Sequence, residues 1–241
     1  MIKNFFGINL CFNRKFFKNF IEKKILLKQK GYVCVVDVNI VAMTNKNSGY
    51  KKIINNSIIN ACDGSSIAFL ANLIYFKSYE SYNGPNIFSD FIKNPEYTHT
   101  IVGGDKSDYI KIINKLKRDN KKINNINYIE LPFMSVDKFN YEEIATKLNK
   151  FKSDMIWISL GAPKQEIFMS HLIKYLNTGV MFGIGAALKF YHGELNLPNL
   201  SFFGLKFIWV MRIIQEPKKI IKRHLSYLFQ LPTLIFNEIK K

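Results

Sequence analysis

Two hydrophobic rhythms alternate along the chain. Short runs rich in apolar and β-branched residues recur at 32–36, 58–62, 98–102, 126–131, 155–160 and 179–184, each closed by glycine or a polar residue. Runs of that length and composition predict buried strands. Helical spacing of apolar positions fills the intervals: a stretch to about Asn47, then 50–56, 65–75, a Lys-rich segment to about Asn120, 141–151 and a segment to about Leu176. Strands alternating with helices predict an α/β fold, a Rossmann-like, mostly parallel sheet with helices on both faces. Ligands of such sheets bind at the carboxyl ends of the strands. The breaks to inspect are therefore Asp37-Val38-Asn39, Asp63-Gly64, Gly103-Gly104, 161–166 and 183–185.

Two segments stand outside the rhythm. Residues 1–31 read as a basic, Phe-rich lead-in. After about residue 199 no further strand is predicted, and the chain reads as helical and basic, broken near Pro217 and Pro232. The expected organisation is a core over 1–198 and a basic amphipathic helical appendage over 199–241, and cutting near 199 is expected to leave a folded core.

Composition narrows the class. Of 241 residues, 48% are hydrophobic and 22% charged, which excludes a disordered chain. Cys11, Cys34 and Cys62 are too few and too scattered for a disulfide framework, so a reducing compartment is expected. No apolar run approaches the roughly 18 residues of a membrane span. Arg14, Lys15 and Lys18 interrupt the first apolar stretch too early for a signal peptide.

The net charge of +17 sits mainly at the two ends. Residues 1–30 hold eight basic side chains against one acidic, and 203–241 hold eight against two. Codon bias toward Lys, Asn and Ile explains part of this, but not the near balance between the ends. A basic end interleaved with aromatics suits an anionic membrane surface or nucleic acid. The balanced centre and the absence of RRM, KH, HTH or OB signatures argue against nucleic acid.

The chemistry-bearing positions are few. Asp63-Gly64 at a strand end is an ordinary turn dipeptide, or a carboxylate at the mouth of the sheet able to take a proton from a hydroxyl. Gly161-Ala162-Pro163-Lys164-Gln165-Glu166 places glycine for a tight turn, Pro163 at a helix start, and Lys164 and Gln165 beside N–H groups open to an anion. A well-capped loop reads equally well there. Asp37 with Asn39 is either a helix cap or a pair of ligand contacts. Gly103-Gly104 before Asp105 suits a helix cap; there is no GxGxxG and no P-loop. His99, His171, His192 and His224 show no metal-ligand spacing. In the tail Arg212, Lys218, Lys219, Lys222 and Arg223 recur at helical spacing among Trp209, Ile213, Leu225 and Phe229, a basic amphipathic pattern.

The order Asp-x-Asn, Asp-Gly, Gly-Ala-Pro-Lys-Gln-Glu, Gly-Ile-Gly-Ala-Ala and Trp209-x-x-Arg212-x-x-x-Glu216-Pro217 resembles the WecG/TagA/CpsF glycosyltransferase family over about 32–230. The resemblance implies inverting, metal-independent transfer of a ManNAc-type, uronic-acid or related hexose, with no cofactor. The donor is a UDP-sugar and the acceptor a polyprenyl-diphosphate-linked sugar, in capsule, teichoic acid or other surface polysaccharide assembly. It also implies peripheral attachment at the inner face of the cell membrane, with oligomeric state open. It casts Asp63 as catalytic base, Asn39 and Gln165 as active-site residues, and Arg212, Lys219 and Lys222 as appendage cations, with Arg223 beside them. Asp37, Gly64, Gly103, Gly104, Gly161 and Lys164 complete the expected substrate contacts. Asn39 and Gln165 sit on strand-end loops, so Asn39→Ala and Gln165→Ala are expected to spare the fold. The family pattern is broken at Asp37 (commonly Thr), Ser81 (commonly Arg), Asn86, 196–198 and Ile208. Ser81 argues for a second reading, a decayed member serving as a subunit of an assembly complex, and retention of Asp63, Asn39 and Gln165 argues against it.

Overall fold

The computed structural model describes residues 1–119, 125–195, 201–202, 205–206 and 217–241. The chain is mixed α/β and divides into two units. All six sequence-predicted strands form. They are β3 (Lys30–Val36), β4 (Ile59–Cys62), β5 (His99–Gly103), β6 (Ile126–Ile129), β7 (Met155–Ser159) and β8 (Gly179–Gly183).

The first unit comprises Met1–Arg14, Val36–Asn83 and Asn196–Lys241. The segment read as a lead-in begins with an antiparallel hairpin, β1 (Ile2–Phe5) and β2 (Ile8–Cys11). Strand β2 then pairs in parallel with β4, Leu10 opposite Asn60. Period-two reading misses the hairpin because β1 and β2 have only four residues each, with Phe6 and Gly7 both at positive φ in the turn. The buried Asn60 side chain locks β4 in place, donating to the Asn9 carbonyl (3.0 Å) and the Ile54 carbonyl (3.1 Å). Helices α2 (Val38–Lys46), α3 (Ser48–Asn55) and α4 (Ser65–Tyr75) follow the predicted spacing. In the tail, where no strand was predicted, β9 (Ser201–Phe202) pairs with β10 (Leu205–Lys206), a hairpin too short to leave an alternation signal. The last helix, α10 (Pro217–Ile239), buries Tyr227, Leu234 and Glu238, and Glu238 accepts from the Phe6 N–H at 2.8 Å.

The second unit comprises Lys15–Val35 and Gly84–Leu195. Its strands run in the order β3-β8-β7-β5-β6, every pair parallel. Strands β5, β7 and β8 are buried almost throughout, as expected of a sheet covered on both faces. Trp157 is the largest fully buried side chain, with the rings of Phe182 at 4.7 Å and Phe88 at 5.0 Å. Gly179, at φ +101, cannot be replaced without strain: a Cβ there would meet the Ser153 carbonyl at 2.3 Å. The unit's helices are most of α1 (Arg14–Leu26), α5 (Gly84–Phe91), α6 (Lys106–Arg118), α7 (Tyr141–Phe151), α8 (Lys164–Leu172) and α9 (Ala187–His192).

Candidate active site

In the first unit the exits of β3 and β4 lie side by side, because the Asp63 N–H donates to the Val36 carbonyl at 2.9 Å. Asp37 and Asp63 therefore leave neighbouring strand ends. Asp37 is the N-cap of α2, its Oδ1 accepting from the Ile40 N–H at 2.9 Å, so the capping reading holds for that oxygen. Asn39 follows in the first turn of α2 and is half-buried. Asp63 is also half-buried, one residue before Gly64, the N-cap of α4. Gly64 offers no side-chain cap and the first turn of α4 holds no acid, so a positive helix end stands beside Asp63. A carboxylate, an amide and a helix end at neighbouring strand termini can orient a hydroxyl and take its proton.

Helix α10 brings a group that sequence reading did not single out. Tyr227 is 5% exposed, and its hydroxyl has no hydrogen-bond partner among the described residues. Burial, and to a lesser degree the nearby Cys62 thiol, push its ionisation far up. Cys62 immediately precedes Asp63, and its own thiol is pushed up by burial and then by the Asp63 carboxylate. Lys46 of α2 reaches Ser226, next to Tyr227, at 2.8 Å. A buried hydroxyl without a partner is costly, and a bound polar molecule can satisfy it.

The second unit holds the glycine-rich breaks. Gly103 and Gly104 leave β5 at φ +75 and +72. A Cβ on Gly104 would press on Ser159 Oγ at 3.3 Å, while Ser159 Oγ donates to the Gly185 carbonyl at 2.9 Å. Gly161, φ +74, opens onto free space, with nothing within 4 Å of where its Cβ would lie.

Gln165 departs from the loop-exposed residue expected. It is 4% exposed, and its Oε1 accepts from both the Gly161 N–H (3.1 Å) and the Gly185 N–H (3.0 Å). Its Nε2 donates to Glu166 Oε1 at 2.8 Å. Gln165 thus clips the loop after β7 to the loop after β8, as a positioning residue. Lys164 is also engaged: Nζ donates to the Met134 carbonyl at 2.5 Å and lies 5.2 Å from the Phe139 ring centre. Pro163 is the N-cap of α8, one residue earlier than the first helical position expected.

Of the tail cations, Arg212 lies outside the described residues, as do 196–198, Ile208 and Trp209. Lys219, Lys222 and Arg223 fall on α10, their side chains outside the described residues. At Ser81, where the resemblance implies arginine, Arg14 Nε donates to the Ser81 carbonyl at 2.8 Å and lies 3.9 Å from Glu80 Oε2, with Arg14 Cζ 5.6 Å from the Tyr82 ring centre.

One His/carboxylate group forms that spacing in the sequence did not reveal. Ligand atoms of Asp108, His192 and Glu194 lie within 4.8 Å of one another. Lys111 (2.7 Å) and Lys189 (3.0 Å) both pair with Glu194, and His192 pairs with Asp108 at 2.8 Å. The two ammonium groups put positive charge where a cation would have to sit, and they hold the Glu194 carboxyl down at about 2.

Comparison with known proteins adds the following. The sequence model described as "Glycosyl transferase WecG/TagA/CpsF family" matches residues 5–241. A Bacillus spizizenii (strain W23) protein named N-acetylglucosaminyldiphosphoundecaprenol N-acetyl-beta-D-mannosaminyltransferase is 20% identical over 207 residues, covering 84% of this chain and 79% of that protein. A protein of the same name from Bacillus subtilis (strain 168) is 21% identical over 205 residues, covering 83% and 76%. A Staphylococcus aureus (strain MW2) protein, also so named, is 31% identical over 80 residues, covering 33% and 31%.

Proposed function

The chain belongs to the WecG/TagA/CpsF family of glycosyl transferases, and on that premise we propose that it moves an N-acetylmannosamine-type sugar from a UDP-linked donor onto a polyprenyl-diphosphate-linked acceptor in surface-polymer assembly. The observation that carries the reading is the family match over 5–241, nearly the whole chain. Relatives named for an N-acetylglucosaminyldiphosphoundecaprenol acceptor support the lipid-linked substrate.

The mechanism follows from the strand ends. Asp63 takes the proton of the attacking acceptor hydroxyl as the bond to the sugar forms, which inverts the anomeric carbon. A carboxylate is a far weaker base than an alkoxide, so it takes the proton only as attack proceeds and transfer is concerted. Negative charge grows on the departing diphosphate. The positive end of α4 and the cations of the tail, Arg212, Lys219, Lys222 and Arg223, stabilise it. Asn39 orients the sugar, and the buried Tyr227 hydroxyl gains a substrate partner.

The test uses purified full-length protein, a panel of UDP-sugars and lipid-linked acceptors. Asp63→Asn should lower kcat by about 10²–10⁴-fold, since the amide is near-isosteric but takes no proton, with an unchanged melting curve. A variant retaining more than about a tenth of the wild-type rate removes Asp63 from the base role.

A further inference from the structure

Within the first unit, Asp37 carries a charge that its structural duty does not require. One oxygen, Oδ1, caps α2 by accepting from the Ile40 N–H at 2.9 Å. Asparagine and threonine cap helices through the same single acceptor, and asparagine does so about as well as aspartate. Threonine is the residue common at this position in the family pattern, so the cap alone does not call for a carboxylate. The second oxygen, Oδ2, makes no hydrogen bond among the described residues.

The same turn holds another uncommitted group. Further along α2 every polar side chain is engaged: Thr44 Oγ1 and Asn45 Nδ2 both donate to the Val41 carbonyl at 2.8 Å, and Lys46 Nζ to Ser226 Oγ at 2.8 Å. The Asn39 amide makes no hydrogen bond among the described residues. Asp37 and Asn39 are both half-buried. Asp63 lies beside them, since its N–H donates to the carbonyl of Val36, the residue before Asp37, at 2.9 Å. Neighbouring strands run about 5 Å apart, so one sugar ring at these strand ends meets both carboxylates. A further negative charge at that range is repelled by each of them, the more so where water is excluded. A neutral sugar instead offers hydroxyl hydrogens, which a carboxylate oxygen accepts and an amide orients.

We propose that Asp37 is a specificity-determining residue: its Oδ2 accepts a hydroxyl hydrogen from the transferred sugar, and its charge, added to that of Asp63, bars a hexuronate. The sugar that this chain transfers is therefore an uncharged one. The inference rests on the proposed function for the place of the donor. There the departing diphosphate lies at the positive end of α4, which starts at Ser65, so the sugar attached to it lies at the same strand ends. Selection of this kind works by penalising the wrong ligand as much as by holding the right one.

The experiment compares two donors that differ only in a hydroxymethyl against a carboxylate group, UDP-N-acetylmannosamine and its uronate. Full-length protein is assayed for transfer to one lipid-linked acceptor and, separately, for equilibrium binding by calorimetry. The wild type should prefer the neutral donor by about tenfold or more in kcat/KM and in Kd. Asp37→Asn and Asp37→Thr should each narrow that ratio about fivefold or more, and Asp37→Asn should melt at the wild-type temperature, because asparagine keeps the cap. A wild type that takes both donors equally overturns the proposal. So does an Asp37→Asn variant that keeps the wild-type ratio, which would leave Asp37 as a helix cap alone. The binding arm separates this inference from the reading it rests on. Absence of transfer with the binding preference intact counts against the proposed function only, and transfer without preference counts against the role of Asp37 only. Binding of neither donor overturns both.

Discussion

Gln165 shows what a single side chain decides. A carbonyl oxygen has two lone pairs, and here both are used by half-buried backbone N–H groups from two loops. Gln165→Ala strands both donors, so it should cost about 2–4 kcal/mol of stability in denaturant titration, against the tolerance expected from a surface loop. Gln165→Glu should recover none of the loss, because its second carboxylate oxygen would face Glu166 Oε1, to which Gln165 Nε2 donates at 2.8 Å. His99 offers a pH test. It is buried, its Nδ1 accepts from Trp157 Nε1 at 3.3 Å and its Nε2 faces the Asn94 carbonyl at 3.1 Å, which fixes the neutral Nε2–H form. Burial lowers its pKa from 6.5 to about 4. Between those values the unfolded chain binds a proton that the folded one refuses, so this contribution is complete above about pH 6.5 and fades as pH falls toward 4. The full loss is about 3 kcal/mol. Melting curves from pH 7 to pH 4.5 should show the decline, and His99→Gln should flatten it over the same window.

At the scale of elements, legibility followed burial and length. Strands β7 and β8 announce themselves because both faces are covered and nearly every residue is apolar, and β5 does so through its Ile101-Val102 step ahead of Gly103. Helices α4 and α7 were placed to the residue: Asn140 caps α7 by accepting from the Glu143 N–H at 3.1 Å, and Glu142 and Glu143 sit at its positive end. The β1–β2 and β9–β10 hairpins escaped because two to four residues carry no usable period. Helix α5 escaped because Gly84 and Pro85 open it and read as a turn. The Gly-Ala-Pro-Lys-Gln-Glu motif was legible as a motif, but not as a clip, since its partner Gly185 lies twenty positions on in sequence. Helix α10 carries its own test in Tyr227. If the hydroxyl serves only packing, Tyr227→Phe should be neutral or stabilising, because it removes an unpartnered buried polar atom. If substrate satisfies the hydroxyl, the same variant should melt no lower yet show a KM raised about fivefold or more, the worth of one hydrogen bond.

For the whole molecule, the division into units changes what truncation means. The tail was expected to be separable, yet α10 contributes buried Tyr227, Leu234 and Glu238 to the first unit. Removing residues from Pro217 onward should therefore cost more than about 4 kcal/mol, from two lost apolar burials and the stranded Phe6 N–H. Limited proteolysis within 36–83 should detect it as new cleavage, and an unchanged digest would restore the separable tail. The same tie sets a schedule for synthesis. Phe6 and Glu238 are 232 positions apart, and a ribosome adding roughly 5–20 residues per second needs on the order of 10–50 s to make the second after the first. For most of that interval the opening hairpin is already made while its Phe6 amide has no acceptor. The first unit is thus assembled last, from three stretches of chain that emerge far apart in time, and a chaperone that shields nascent apolar strands should find its substrate in β1 and β2.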